Sequence, residues 1–185
     1  MNYRRLIDGE HTCFYHVIIK IPDRTDIHSD YALNEKHKAF FVKLLFWLDE
    51  IYTLECINYC IMSTHAHFIL KVEPGAENNL SLKEIAQRHQ CYYKLTKAMD
   101  ARCHEIREFR RRLNDMSHFV ADLEKRFTRW YNNQLEKKRR GSLWNPRYKS
   151  VLLGSRMALL RCLQYVELNS VRAKMVVDPG YYEFC

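Results

Sequence analysis

The sequence predicts an α+β domain of the split β-α-β type, in which a small antiparallel sheet carries helices on one face. Three observations support this prediction. Runs rich in β-branched and aromatic residues, typical of strands, occur at 13–21, 54–72 and 148–153. Segments with the three-and-four spacing of amphipathic helices separate them. With 185 residues, 47% of them hydrophobic, the chain is long enough for one domain with its own core.

A strand and a long helix open the pattern. Residues 13–21 (CFYHVIIKI) are aromatic and β-branched, and Pro22 follows them. Residues 35–52 (EKHKAFFVKLLFWLDEIY) have apolar positions at intervals of three and four. Because Asn34 directly before them is a suitable N-cap, this segment is predicted to be an amphipathic helix.

A β-hairpin and a second helix follow. The strand-like runs 54–62 and 65–72 are separated by only two residues, a connection short enough for a hairpin. Ser81, with Glu84 three residues later, has the spacing of a capping box. In that motif each of the two side chains bonds the backbone amide of the other residue at the start of a helix.

The second half of the chain is mostly helical and strongly basic. Residues 104–140 contain 11 lysines and arginines against 6 aspartates and glutamates, and the ordinary interpretation is a solvated helix face. Residues 148–153 are predicted to form a fourth strand. Ser155 is predicted to cap a helix that ends near Leu168. The order strand, helix, strand, strand, helices, strand, helix fits the ferredoxin-like or RRM-like fold, which hosts many functions.

Composition narrows the functional classes. The formal net charge of +8 and the pI near 9.1 favour a polyanionic partner, most often nucleic acid. No run approaches the roughly 18 apolar residues of a membrane span, and residues 1–8 lack the apolar stretch of a signal peptide. The seven cysteines are scattered, which favours free thiols over a disulfide framework. We therefore expect a cytoplasmic protein.

Two histidines stand one residue apart in the second hairpin strand, in the stretch IMSTHAHFIL (61–70). Because side chains at i and i+2 of a strand share a face, His65 and His67 project in parallel, about 7 Å apart at the backbone, and could bind one metal ion. Alternatively, both lie on the solvent face of the strand. A zinc site with Cys56 and Cys60 is a further alternative, although paired zinc ligands usually lie on a tight turn.

A tyrosine and an asparagine form a second candidate pair. Tyr165 and Asn169 are four residues apart in RCLQYVELNSVRA (161–173), so they share one face of a helix. The phenol can act as a nucleophile, and the carboxamide oxygen can ligate a hard divalent ion. The ordinary alternative is a tyrosine at a packing interface and an asparagine near a helix end.

Together these segments resemble the REP-associated tyrosine transposases, a branch of the single-tyrosine HUH transposases in the IS200-like superfamily. YHVIIK (15–20) is similar to the family's first strand, and IMSTHAHFIL to its histidine-hydrophobic-histidine hairpin. GSLWNPRYKS (141–150) resembles its Gly-x-Leu-Trp-x-x-Arg-Tyr block. QYVELNSVRAKMV (164–176) resembles its Tyr-Ile-Glu-Leu-Asn-Pro-Val-Arg-Ala segment. The four matches occur in the family's order.

The resemblance implies a single HUH transposase-like domain over residues 1–185. Within it, Ser63 and Thr64 replace the Pro-Asn that usually precedes the first histidine, and Ser170 stands where the family typically has proline. The region at about 88–128 is longer than the family's usual connection. We interpret this region as a basic helical insertion.

The resemblance also implies a metal-dependent endonuclease and strand transferase that acts on single-stranded, hairpin-containing DNA. His65 and His67 would ligate Mg²⁺ or Mn²⁺, with Asn169 as the third protein ligand. Tyr165 would attack the scissile phosphate and form a 5′-phosphotyrosine. Because a phenol is a weak nucleophile at its ordinary pKa of about 10, a metal ion that polarises the phosphoryl oxygen would be needed. The enzyme would act as a monomer or a homodimer.

A hairpin substrate calls for basic residues along its backbone and aromatic rings for its unstacked bases. The candidates are Arg126, Arg129, Trp130, Trp144, Arg147, Tyr148 and Arg172. For each of them, surface or core packing is an equally good interpretation.

Three other functions stay open at this point. A catalytically silent protein of the same fold would bind hairpin DNA or RNA without cutting it. A phosphoesterase would use metal-activated water and leave Tyr165 structural, and a plain basic α+β protein would use neither group. Tyr131, or else Tyr92 or Tyr93, is the alternative nucleophile. Tyr165 is preferred because only there does an asparagine follow at i+4 in a segment that matches the family.

Overall fold

A computed structural model of the protein describes residues 9–22, 32–135 and 140–185. Residues 1–8, where no signal peptide is predicted, and residues 136–139, within the predicted basic helical stretch, lie outside it. The strands are β1 (Cys13–Lys20), β2 (Glu55–Ile61), β3 (His65–Val72) and β4 (Lys149–Leu152). The helices are α1 (Glu35–Ile51), α2 (Leu82–Tyr93), α3 (His104–Arg112), α4 (Met116–Gln134), α5 (Arg156–Glu167) and α6 (Asn169–Arg172), with 3₁₀ turns at Ala76–Asn79 and Pro179–Tyr181.

The four strands form one antiparallel sheet in the order β2-β3-β1-β4. β1 pairs with β3 over its whole length, from Cys13 opposite Val72 to Lys20 opposite His65. This order, with the first and third strands in the centre, is that of the split β-α-β fold. The predicted α+β class is therefore confirmed, and so are the predicted hairpin of β2 and β3 and the two other predicted strands, β1 and β4.

One face of the sheet forms the hydrophobic core with α1. Alternate β1 side chains, Tyr15, Val17 and Ile19, are buried on this face, where Phe68 of β3 lies opposite Val17. α1 buries its apolar stripe, which consists of Phe41, Leu44, Leu45, Leu48 and Ile51. Each such side chain contributes about 1.5–3 kcal/mol when it leaves water. This packing fixes the register of the sheet, because a slip of one residue would turn the core side chains to the other face.

The helix starts follow their sequence signals. The Asn34 side chain accepts a hydrogen bond from the His37 amide at 2.9 Å, as the predicted cap requires. The predicted capping box is also present, since Glu84 accepts from the Ser81 amide at 2.7 Å and Ser81 accepts from the Glu84 amide at 3.2 Å. Ser155 accepts from the Ala158 amide at 3.1 Å at the start of α5.

A buried carboxylate joins the helices of the predicted insertion. One oxygen of Asp122 in α4 accepts hydrogen bonds from the hydroxyls of Tyr52 at 2.5 Å and Tyr92 at 2.8 Å, and from Arg112 at 2.8 Å. These partners come from the end of α1, from α2 and from the last residue of α3. Burial, and then Asp122, raises the pKa of Tyr52, so that its hydroxyl stays protonated and donates. The region therefore packs with α1; that it is an insertion stays a prediction.

α5 lies on the other face of the sheet, against β2 and β3. This face carries the alternate side chains of the central strands, among them His16 and Ile18 of β1 and His67 of β3. The helix after Ser155 is therefore present as predicted, but it lies on the face opposite α1, whereas the prediction placed the helices on one face of the sheet. This helix brings Tyr165 to the face on which the histidines lie.

The C-terminal segment folds back along the edge strand β2. The Ile61 amide donates to the Phe184 carbonyl at 2.9 Å, and the Tyr182 hydroxyl donates to the Ile61 carbonyl at 2.6 Å. Cys60 and Cys185 form a disulfide. The prediction that all cysteines are free thiols is therefore wrong for this pair, and the zinc alternative loses Cys60. The two cysteines are 125 residues apart, so their pairing depends on the fold and not on spacing.

Candidate active site

The histidine pair projects from β3 towards α5, as the strand period predicts. The rings of His65 and His67 have their centroids 4.9 Å apart. His67 is only 3% exposed, whereas His65 is partly exposed at the start of the strand. The alternative that both histidines lie on a solvent face therefore does not hold for His67.

A third histidine, which the sequence pattern did not single out, completes the cluster. His16 of β1 is 8% exposed, and its Nε2 lies 2.9 Å from Nδ1 of His67. Sequence could have indicated it, because His16 and Ile18 share a face and Ile18 lies opposite His67 in the sheet. That inference requires the knowledge that β1 and β3 are neighbours, and the local pattern does not contain it.

Tyr165 reaches the same cluster from α5. Its ring centroid lies 5.6 Å from that of His67 and 5.8 Å from that of His16, and the side chain is 38% exposed. The guanidinium of Arg172 lies 4.8 Å from the centre of the Tyr165 ring. The predicted nucleophile, one predicted metal ligand and one predicted DNA-binding arginine are therefore neighbours. The phenol remains accessible to a substrate.

Asn169 occupies the first position of α6, just after the end of α5. It is almost fully buried, and its Nδ2 has no hydrogen-bond partner among the described residues. A buried amide without a full set of partners is costly and calls for a ligand or a water molecule. An unpaired N–H₂ donor calls for an acceptor oxygen, such as that of a phosphate or a water molecule, and does not itself indicate a cation. The assignment of Asn169 as a metal ligand stays a prediction.

Burial keeps the clustered histidines neutral at pH 7. It lowers the pKa of His67 to about 3, with smaller contributions from His65, His16 and Arg172 in their charged forms. Burial also lowers the pKa of His16, and burial together with Lys20 lowers that of His65. Metal ions bind the neutral form of imidazole, so these histidines need not lose a proton first.

The donor chemistry of the predicted ligands suits a divalent ion with few protein ligands. Two neutral imidazoles with adjacent rings and a buried amide side chain supply nitrogen and oxygen donors, which such ions accept. Among the residues that the structure describes, no group of three or more His, Cys, Asp or Glu side chains is arranged to hold a metal. A site built from two histidines and Asn169 does not need such a group.

Most of the other predicted DNA-binding residues lie on the helical side of the sheet. Arg126 of α4 donates to the Tyr92 carbonyl at 3.1 Å and stacks on the rings of Trp47 at 4.8 Å and Tyr92 at 4.3 Å. Arg129 is exposed and, with Lys125, lines a groove of about 420 Å³. Arg126 therefore has a structural role in this position, whereas Arg129 is accessible to a partner.

The predicted aromatic platforms differ in their access. Trp130 stacks on Phe40 with ring centroids 3.9 Å apart and is half-buried. Trp144 is 2% exposed and packs against Phe41 and Phe127, so a base cannot stack on it unless it leaves the core. Tyr148 is half-buried, and Arg147 beside it is exposed. Among the described residues, the ring contacts of the two tryptophans are with other aromatic side chains and not with Tyr165.

The alternative nucleophiles are placed differently from Tyr165. Tyr131 is fully buried against Phe127, and the hydroxyl of Tyr92 is bonded to Asp122. Tyr93 is exposed, and its ring packs on His89 at 4.6 Å in the helical region. Of the four tyrosines considered, Tyr165 is the one beside the His16–His67 pair.

A solved structure of a known protein shares this fold. The chain is similar to the structure of a REP-associated tyrosine transposase bound to a REP hairpin, with 14% identity and a TM-score of 0.56, over 100% of this chain and 81% of that one. It also matches a putative transposase from Deinococcus radiodurans at 15% identity and a TM-score of 0.38, over 90% and 96%. No protein-family model and no curated protein matches. From the first comparison, the protein has the fold of a REP-associated tyrosine transposase.

Proposed function

We propose that the protein is a metal-dependent endonuclease and strand transferase for single-stranded DNA that contains a hairpin, with Tyr165 as its nucleophile. The observation that carries this proposal is the position of the Tyr165 ring, which lies 5.6 Å from the ring of the buried His67 while the Tyr165 side chain is itself 38% exposed. The fold supports it, because the similar solved transposase is bound to a REP hairpin. The basic composition supports a nucleic acid as the partner.

His65, His67 and Asn169 would hold a divalent ion, Mg²⁺ or Mn²⁺. When bound, the ion supplies a Lewis acid for the phosphoryl oxygen. The histidines contribute neutral nitrogens, which burial maintains. Asn169 contributes its amide oxygen from the segment that directly follows the nucleophile's helix. The ligands and the nucleophile therefore come from β3 and from the α5–α6 segment.

Tyr165 forms the covalent bond. Its hydroxyl oxygen attacks phosphorus and loses its proton, the bond from phosphorus to the 3′ oxygen breaks, and that oxygen takes up a proton. The products are a 5′-phosphotyrosine and a free 3′-hydroxyl. One ester bond forms for each that breaks, so a second strand end can reverse the reaction without ATP.

Arg172 provides positive charge next to the reacting group. Its guanidinium lies 4.8 Å from the centre of the Tyr165 ring, so its charge is next to the side chain that carries the nucleophile. Arginine binds phosphate oxygens with two parallel hydrogen bonds, which adds orientation to charge neutralisation. We assign Arg172 to the scissile phosphate and not to the bases.

A covalent-trapping experiment tests the proposal. The protein is incubated with Mn²⁺ and single-stranded oligonucleotides that contain hairpins and carry a label at the 3′ end, downstream of the cut. A 5′-phosphotyrosine retains this label on the protein in a denaturing gel. Tyr165→Phe should abolish the adduct and His65→Ala/His67→Ala should prevent its formation. Tyr181→Phe, at an exposed tyrosine in the C-terminal 3₁₀ turn, is the matched control.

The outcomes separate the candidate functions. A labelled adduct that is present in the control and absent in both site variants supports the proposal. Cleavage without an adduct that persists in Tyr165→Phe supports a phosphoesterase that uses water. Tight hairpin binding without any cleavage supports the catalytically silent protein.

A further inference from the structure

His16 is part of the cluster but has no part in the reaction described so far. We propose that His16 is a positioning residue: it accepts a hydrogen bond from Nδ1–H of His67 and so keeps Nε2 of His67 free to ligate the metal ion. This inference rests on the proposed function, because it takes His67 as a ligand. The proposal gives His16, a residue of β1, a role in the site.

The geometry is that of a direct hydrogen bond between two imidazoles. Nε2 of His16 and Nδ1 of His67 are 2.9 Å apart, the ring planes differ by 21°, and the ring centroids are 5.1 Å apart. Centroids so far apart, at that nitrogen distance, require both nitrogens to lie close to the line that joins the ring centres. The two rings are therefore nearly coplanar and face each other through these nitrogens, as an N–H···N bond requires.

The nitrogen that carries the hydrogen in this bond determines the tautomers of both His16 and His67. A neutral imidazole has one N–H and one lone pair. If His67 donates from Nδ1, its lone pair is on Nε2, where it can bind a metal. If His16 donates instead, the hydrogen of His67 is on Nε2 and blocks that nitrogen. Ligation through Nε2 of His67 therefore requires His16 as the acceptor, with its own hydrogen on Nδ1.

A third-ligand role for His16 fits the geometry less well. Its Nε2 points at the ring of His67 along the ring planes, whereas two ligands would both aim at an ion off that line. No three-residue metal group of His, Cys, Asp or Glu occurs in the described part of the chain, although His16, His65 and His67 are adjacent. A hydrogen-bonded partner behind a ligating histidine is the usual way to fix its tautomer and ring orientation.

The backbone holds His16 firmly. β1 is paired on both sides, so that His16 lies between Ile69 of β3 and Val151 of β4. Both rings are almost fully buried, so water does not compete for the hydrogen bond. A fixed acceptor gives the His67 ring one orientation before the metal arrives.

Two measurements on the metal-free and the Mn²⁺-loaded protein test this role without any use of activity. Imidazole ¹⁵N NMR reports which nitrogen of His67 carries the hydrogen in the metal-free protein. Electron paramagnetic resonance of free Mn²⁺ gives the affinity for the metal alone. The variants are His16→Leu, which removes the acceptor, and His16→Gln, which retains an amide oxygen as an acceptor. His118→Leu, at an exposed histidine, is the control.

We expect the Nδ1–H tautomer of His67 in the unsubstituted protein and a mixture in His16→Leu. The Mn²⁺ affinity should fall by about 10- to 100-fold in His16→Leu, recover in His16→Gln and stay unchanged in His118→Leu. An Nε2–H tautomer in the unsubstituted protein would overturn the proposal, and so would a folded His16→Leu with unchanged affinity. If the unsubstituted protein and His67→Ala bind Mn²⁺ equally, the ligand assignment itself fails. If His67→Ala loses Mn²⁺ affinity and His16→Leu does not, the positioning role of His16 fails but the assignment of His67 as a ligand stands.

Discussion

At the scale of single residues, the His67 imidazole lies between β1 and α5, where water cannot hydrate a charged ring. Burial lowers its pKa to about 3, and the same cause lowers the pKa of its partner His16. In the unfolded chain both have the ordinary histidine pKa of about 6.5. Acid therefore protonates the unfolded state first, so the buried histidine cluster weakens the metal-free fold at low pH.

This difference predicts a pH dependence of stability. Without metal, the free energy of unfolding should fall as the pH drops from 6.5 towards 3, by up to about 1.4 kcal/mol per pH unit for each extra proton bound by the unfolded state. His67→Phe should flatten the slope, because it removes one such proton, and the exposed control His118→Asn should not. Urea titrations at several pH values measure how the free energy of unfolding depends on pH in each protein. Equal slopes in all three proteins would contradict the burial argument.

At the scale of elements, one carboxylate connects four helices. Asp122 accepts from two phenols and one guanidinium, and its side chain is only 12% exposed. The C-terminal segment is held to β2 by backbone bonds and by the disulfide between Cys60 and Cys185. Both connections join segments distant in sequence, so each stabilises the packing of whole elements.

Loss of the buried carboxylate should be costly. Asp122→Asn leaves the charge of Arg112 without its partner, which predicts a loss of roughly 3 kcal/mol in the free energy of unfolding. The matched change Glu108→Gln, at an exposed residue paired with Arg111, should cost less than about 1 kcal/mol. Chemical denaturation of the three proteins measures both values. Equal losses would mean that the buried network adds nothing beyond a surface pair.

Loss of the disulfide should also destabilise the protein. Cys185→Ser is expected to cost about 2–4 kcal/mol, because the bond restricts a long loop of the unfolded chain. Cys91→Ser, at an exposed free cysteine, should cost little. Thermal unfolding with and without a reductant measures the effect. The difference between Cys185→Ser and the original protein should vanish in reductant, and a difference that persists there would point to a packing role instead.

At the scale of the whole molecule, the local parts of the fold follow from sequence. The hairpin, the strand that carries His65 and His67, and the cap at Asn34 depend on neighbours in the chain, so spacing and residue type suffice to predict them. The partnership of His16 with His67 depends on which strands are adjacent. The disulfide likewise depends on a fold-back that no local pattern records.

The position of the charges can be predicted only in part. The net charge of +8 indicates a polyanionic partner, but not which arginines face it. In the structure Arg126 packs on the ring of Tyr92, whereas Arg129 is exposed, although both are in the same helix. Tertiary contacts, and not residue type, make this distinction.

The exposed groove on α4 provides a test of DNA binding. Tyr93, Lys94, Lys125 and Arg129 line it and present three cations beside an aromatic ring. Lys125→Glu/Arg129→Glu should weaken hairpin binding and reduce the slope of log K against log salt by roughly 0.7–0.9 for each phosphate that the protein no longer neutralises. Lys83→Glu, at an exposed lysine of α2, is the control for charge reversal. Filter binding over a salt series measures both quantities, and an effect no larger than that of the control would exclude this surface.

The proposed function depends above all on covalent attachment of Tyr165 to DNA. Mass spectrometry detects this bond after the protein has reacted with Mn²⁺ and a hairpin oligonucleotide and has been digested with nuclease and protease. We predict a nucleotide joined through phosphate to the peptide that contains Tyr165, and none after Tyr165→Phe. Cleaved DNA with an unmodified Tyr165 peptide, or a nucleotide on a different tyrosine, would contradict the proposed function.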